Sequence, residues 1–363
     1  MKAGVARGDG AIHDGFEMLV KSPYSKADYR MRGPVEEWGR APNINTGQAQ
    51  EDAMGAYQNA LMWAITGRKP HAAKAIEILN AWAGRLKKVS GIDGVLASGL
   101  QGFKFVNAAE LIRYTDAGWT EAEARRCEAS FKNAWLPTIE HYAYFANGNW
   151  ETAALQTKMA IAVFCNDREL FEETVRYAVN GCGNGSIPHM IVYPTGQCQE
   201  TTRAQHYVQL GIGLLTGAAE VAWQQGVDLY GWNDNLILKG HEYTAKYGIG
   251  EDVPYRHYLD RTGKYGFGGR NNYYTKISTA SRGNFWPIFE RPYQHYAKRR
   301  GVAAPYSGRV VEQKRPEGQS RDHIGLGTLT HYRPRIAATK PARVPGVPSG
   351  LVACSTEEGI RLT

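Results

Sequence analysis

From about Gln50 to Gly248 apolar residues recur with a period near 3.6, and the pattern predicts a succession of helices. The segments "EDAMGAYQNALMWAITG" and "HAAKAIEILNAWAGRL" are amphipathic, and "GLQGFKFVNAAELIRY", "TEAEARRCEASFKNAWL", "WETAALQTKMAIAVFC" and "DRELFEETVRYAVNG" follow. A long helix starting near Thr201 and a last one at "NDNLILKGHEYTAKYG" complete the run. Gly, Asn, Asp or Pro mark the short connections. The sequence does not repeat itself, but helices of similar length in series build bundles, solenoids or α/α toroids, so the pattern predicts an all-α fold.

After Gly248 the character changes. The stretch "EDVPYRHYLDRTGKYGFGGRNNYYTKIS" reads as loop, and one more helix is expected at "FWPIFERPYQHYAKRRG". Beyond Gly318 the chain is rich in Pro and Arg and is expected to drape over the domain. The expected organisation is a helical domain over 1–318, an extended wrap or linker over 319–345, and from 346 to 363 the start of a truncated β-type module that resembles fibronectin type III.

Composition narrows the partners. With 363 residues, 43% of them hydrophobic, the chain can bury a sizeable core. A formal charge of +8 suits an acidic partner or plain solubility. No apolar run approaches the ~20 residues of a membrane span. The first residues lack the apolar core of a signal peptide. The five cysteines form no C-x-x-C pair and are expected as buried thiols rather than as disulfides or metal ligands. No phosphate-loop, serine-hydrolase or zinc-protease motif is present, and "GFGG" at 266–269 follows no clear strand. The run Lys298, Arg299, Arg300 reads as a solvated helix end rather than a nucleic-acid patch.

Four groups of residues could carry chemistry. In a helix starting near Thr201, Arg203, His206 and Tyr207 share the face that continues as Leu210 and Leu214, with Glu200 just before it. The first turn would then line a cavity while the rest packs, and a helix N-terminus favours anions. The alternative is a Glu200–Arg203 salt bridge beside core residues. In "FANGNWETAALQ", Asn147 and Asn149 precede a helix that opens with Trp150 and Glu151. There the asparagine is either an amide presented to a cavity or a helix N-cap. The third group is Tyr255, Arg256, His257 and Tyr258 on the loop-like stretch. The fourth is Arg282, Trp286, Tyr293, His295 and Tyr296, where Tyr293 and Tyr296 could equally be core.

The runs "GNWE", "GQCQETTRAQHYVQLGIG…EVAWQQGVDLYGW", "KGHEYTAKY" and "RGNFWPIFERPYQHY" come in an order that resembles the alginate-lyase-domain polysaccharide lyases. The branch they resemble contains alginate and glucuronan lyases, and the resemblance spans about residues 15 to 305. It implies an incomplete (α/α) toroid with a catalytic cleft or tunnel and β-elimination on a uronate polymer. A secreted or periplasmic enzyme is expected, with an anionic polysaccharide and neither nucleic acid nor membrane as partner. One departure stands out. Where the family carries a "GRDQGHT"-like run, this chain has "TRAQHYV". Arg203 and Gln205 keep their slots, Tyr207 takes that of the histidine, and His206 stands one residue early. A one-residue step turns a side chain ~100° around a helix, so the choice between His206 and Tyr207 stays open.

β-Elimination takes the C5 proton of a uronate and expels the oxygen on C4. The reaction needs a donor to the carboxylate on which charge develops; Asn149 and Arg203 have the right chemistry, and Arg can donate bidentately. It also needs a base and an acid, roles open to Tyr207, Tyr258 and His206. Of the two tyrosines, Tyr258 is favoured as base because a loop can bring it to the sugar from the far side of the donors. Trp150, Glu200, Tyr255, Arg256, Arg282, Trp286, Tyr293 and His295 are the candidate substrate-binding residues. No acidic cluster suggests a metal, so neither metal nor cofactor is expected. A toroidal glycoside hydrolase, built on two opposed carboxylates, and a non-catalytic binder of acidic glycans are the other function classes.

Overall fold

The computed structural model describes residues 1–260, 272–333 and 343–346. The chain opens with α1 (Lys2–Arg7) and α2 (Gly10–Lys21) and continues through α3 (Thr46–Thr66), α4 (Lys69–Arg85), α5 (Gly94–Arg113) and α6 (Glu121–Ser130). A π-helical turn leads to α7 (Leu136–Ile139), followed by α8 (Gly148–Phe164), α9 (Arg168–Asn180), α10 (Ile187–Met190), α11 (Gln205–Gln224) and α12 (Trp232–Gly248). The last helices are α13 (Glu290–Tyr293), which runs on as a π-helical turn to Arg299, α14 (Pro305–Lys314) and α15 (Gly327–His331). Two short strand pairs accompany them. β1 (Glu37–Gly39) lies parallel to β2 (Lys88–Ser90), and β3 (Tyr258–Asp260) antiparallel to β4 (Asn272–Tyr274).

Helices α3, α5, α8 and α11 form an inner row, each packed on the next, while α4, α6, α9 and α12 pack outside them. This succession of hairpins is an incomplete (α/α) toroid. The sequence distinguishes the two layers. On outer helix α9 the buried residues Phe171, Thr174, Val175, Ala178 and Val179 make one stripe. On inner helix α8, 16 of 17 residues are buried. Close approach of α5 and α8 requires Gly99, where a Cβ would lie 2.5 Å from the Ala153 carbonyl carbon. Thr157 bridges the same contact, donating to the Gly99 carbonyl at 2.7 Å and accepting from the Phe103 N–H at 2.9 Å.

Three expectations change. Helix α11 starts at Gln205, not near Thr201, because Glu200–Arg203 form a turn closed by Arg203 N–H on the Glu200 carbonyl. It is also buried on most sides from Val208 to Ala219, since α8 and α12 pack on it. The segment after Gly318 does not simply drape over the domain. His323, Ile324 and Leu326 are buried, the fully buried Lys104 of α5 donates to the Arg321 carbonyl, and α15 packs on α2. Polar groups of the inner helices find partners there.

Cys127 and Cys198 are buried, Cys165 is half-buried and Cys182 is exposed, and no disulfide joins them. Cys354, the "GFGG" run and the C-terminal module beyond Gly346 lie outside the described residues. Among the described residues no helix is long and apolar enough to cross a membrane.

Candidate active site

The site is built where the N-terminus of α8 meets the turn before α11. The first N–H groups of a helix have no intrahelical acceptor. Asn147 occupies the N-cap position of α8, yet its side chain makes no cap bond. Two residues about fifty positions away do the work instead. Gly148 N–H donates to Gln199 Oε1 at 3.0 Å, and Asn149 N–H to Glu200 Oε2 at 3.1 Å. A carboxylate at this end of a helix is also favoured by the macrodipole. The asparagine side chains turn back to the same pair: Asn149 Nδ2 donates to Glu200 Oε1 at 2.6 Å, and Asn147 Oδ1 accepts from Gln199 Nε2 at 3.1 Å.

Glu200 then positions Arg203, whose Nη1 lies 2.5 Å from Oε1. The Arg203 guanidinium lies over the Tyr207 ring, 3.8 Å from its centroid. His206 follows, its ring 4.1 Å from that of Tyr207 and 5.9 Å from that of Trp286, against which it stacks. His206 Nδ1 sits 3.2 Å from the Ser281 hydroxyl. The loop carrying Ser281 and Trp286 is held by two glutamines one turn apart. Gln205 N–H donates to the Ala280 carbonyl and its amide to the Ser278 carbonyl, while the Gln209 amide clasps Asn284 and Trp286. The first N–H of α11 is thus tied to a carbonyl and does not face an anion.

The other wall is the segment 256–258, which leads into β3. Gln197 accepts from Arg256 N–H at 2.8 Å and donates to the Arg256 carbonyl at 2.9 Å; Gln199 donates to the Tyr258 hydroxyl oxygen at 2.7 Å. Gln197 and Gln199 are site residues that the sequence motifs do not single out. Their signal was the alternation in "GQCQE", since residues two apart in an extended segment point the same way.

Burial decides the charges. It pushes the Glu200 carboxyl up to about 7, against the pull of Arg203 and the Asn149 donors. Burial and the Arg203 charge hold His206 below its ordinary value, with Asp322 opposing, so its imidazole is neutral at pH 7. A neutral imidazole can accept or orient but cannot supply positive charge.

Residues 20–253 match the model of the alginate lyase family, well over half of the chain. The chain belongs to the alginate lyase family. It is a polysaccharide lyase of alginate-like polymers. Among solved structures it is similar to a histidine-to-alanine variant of alginate lyase A1-III complexed with a tetrasaccharide. The two share 16% identity over 88% of this chain and 90% of that one, with a TM-score of 0.64. Alginate lyase A1-III from Sphingomonas species A1 gives a TM-score of 0.59 at 15% identity, over 89% and 95% of the two chains. At such identities the likeness speaks for the shared fold. No curated protein matches the chain.

The lyase fold thus gathers Asn149, Glu200, Arg203, His206, Tyr207, Tyr258 and Trp286. Asn149 is 1% exposed and lies beneath the cluster as an anchor for Glu200, whereas Arg203, His206, Tyr207 and Tyr258 are half-buried at its surface. Trp150 is buried and meets Phe145 edge to face. Arg256 is exposed on the segment before β3 that Gln197 holds, and the Tyr255 hydroxyl donates to the Tyr274 carbonyl. Arg282 is set apart, bonded to the carbonyls of Tyr247 and Glu251. Tyr293 packs near Gly308 of α14. His295 is buried, stacked on Tyr230 at 3.8 Å with Arg299 on its Nδ1, so it belongs to the core. Among the described residues no group of three or more His, Cys, Asp or Glu is placed to hold a metal.

Glu200 joins both halves of the site. Glu200→Ala should lower stability by about 3 kcal/mol, because Arg203 and the α8 N–H lose a buried partner together. Denaturant unfolding measures it, and an unchanged midpoint would show that the pair does not hold the turn.

Proposed function

We propose that this lyase cleaves a 1,4-linked uronate polymer, glucuronan or alginate, by β-elimination and leaves unsaturated uronate ends. In this reading Arg203 donates to the carboxylate on C6 as charge develops there. Tyr258 takes the C5 proton, and Tyr207 with the neutral His206 completes the surface that meets the sugar and the leaving oxygen. Trp286, stacked on His206, offers a flat face to a pyranose ring. The observation that carries the reading is the contrast between exposed and buried chemistry. Arg203, His206, Tyr207 and Tyr258 are each half-buried, while both nearby carboxylates, Glu151 and Glu200, are 0% exposed. Glu151 is closed in by the Tyr177 hydroxyl and the Gly185 N–H, both at 2.6 Å. A hydrolase would need two carboxyl groups facing the sugar across the cleft.

Product masses test the proposal. Elimination adds nothing to the sum of the fragments, whereas hydrolysis adds one water per cut, and a water in every product would overturn it. The relatives' tetrasaccharide complexes support an oligosaccharide cleft, and the same reading puts the enzyme outside the cell or in the periplasm, with its polymer. KM should rise with ionic strength, because a cationic cleft attracts a polyanion through screened charge. A KM flat from low to high salt would locate the excess positive charge elsewhere on the surface.

A further inference from the structure

We infer that Gln199 is a positioning residue for proton transfer: its amide aims the Tyr258 phenol and favours the phenolate form. The inference rests on the proposed role of Tyr258 as the base.

The direction of the hydrogen bonds follows from the backbone. The Gly148 N–H can only donate, so the Gln199 atom it meets at 3.0 Å is the carbonyl oxygen Oε1. The other end of the amide is therefore NH2. Its hydrogens go to Asn147 Oδ1 at 3.1 Å and to the Tyr258 oxygen at 2.7 Å. Tyr258 is the acceptor in that bond, and its own proton points away from Gln199. A donor on the phenol oxygen stabilises the charged form and makes the proton easier to lose. Gln199 is 4% exposed and held at three points, so the donor stays fixed when substrate arrives. Gln197, two residues earlier, holds Arg256 by two backbone bonds and sets the strand that carries Tyr258.

The charged and titratable described groups around Tyr258 include Glu200 and Arg203 on the segment beside Gln199, Tyr255, Arg256 and His257 just before it in the chain, and Tyr273 and Tyr274 on β4 across the β3–β4 pair. Replacing Gln199 removes none of these groups. Glu is nearly the same shape, and its carboxylate still accepts from the Gly148 N–H. It cannot donate to Tyr258, and it puts a negative charge beside the phenol.

The experiment is the pH profile of kcat/KM for the parent, Gln199→Glu, Gln197→Ala and Tyr258→Phe, each with its melting temperature. Gln199→Glu should move the limb for loss of the base proton to higher pH by roughly one unit or more. It should also lower the rate at neutral pH about tenfold or more. Gln197→Ala should lower the rate without moving the limb, because the amide donor remains. If Gln199→Glu leaves the limb in place, Gln199 is only a structural anchor and the inference is overturned. If Tyr258→Phe keeps nearly the parent rate, the reading of Tyr258 as base fails first, and that result is seen independently of Gln199.

Discussion

Tyr258→Phe should lower kcat by about 10²–10⁴-fold, the range that a positioned proton-transfer group supplies. The substitution keeps the ring in place between the strand and the Gln199 amide and removes only the hydroxyl. KM and melting temperature should change little, because the strand is also held through the backbone of Arg256. Tyr207→Phe is the comparison. Its ring packs under Arg203 and beside His206, contacts that survive loss of the hydroxyl. A small effect at Tyr258 with a large one at Tyr207 would move the base onto α11. If both variants stay within a few-fold of the parent, the tyrosine assignment fails and His206 becomes the candidate.

Arg203→Ala should cost about 10²–10³-fold in kcat, the loss expected when one preorganised donor to a developing anion is removed. Stability falls as well, because Glu200 stays buried and loses its cationic partner. Rates must therefore be taken per folded molecule. Arg203→Lys separates the two effects. It restores a charge near Glu200 and should recover part of the melting temperature, but it lacks the fork that grips a carboxylate and should recover little of the rate. Full activity in folded Arg203→Ala would show that the residue only braces the turn.

The helices were legible because period-3.6 burial is a local property, and each hairpin announces itself through its turns. The inner and outer layers were less so: α8 and α11 have core on nearly every side, which blurs the stripe that periodicity detects. The segment after Gly318 misled because Pro and Arg usually signal surface. Its burial depends on partners such as Lys104, more than two hundred residues away. At the site, i, i+4 spacing points to Arg203 and Tyr207, and the two do meet, but not as helix neighbours: Arg203 lies in the turn before the extended Ala204, and its guanidinium reaches over the Tyr207 ring. Asn147 looked like a helix cap, and only the fold reveals that Gln199 and Glu200 cap α8 instead. His295 looked like a site histidine because a motif does not record which way a helix faces. Gln197 and Gln199 act through pairings more than fifty residues long; the alternation in "GQCQE" shows that the two point the same way, not what they meet.

The most direct test follows the ultraviolet absorbance of the purified lyase with alginate, polymannuronate, polyguluronate, glucuronan and hyaluronan. The new C4–C5 double bond absorbs near the ultraviolet edge, and neither hydrolysis nor binding creates it. The account predicts rising absorbance on at least one of the 1,4-linked uronate polymers, in step with new reducing ends, and its loss in Tyr258→Phe. New reducing ends without absorbance, or binding without either signal, would contradict it.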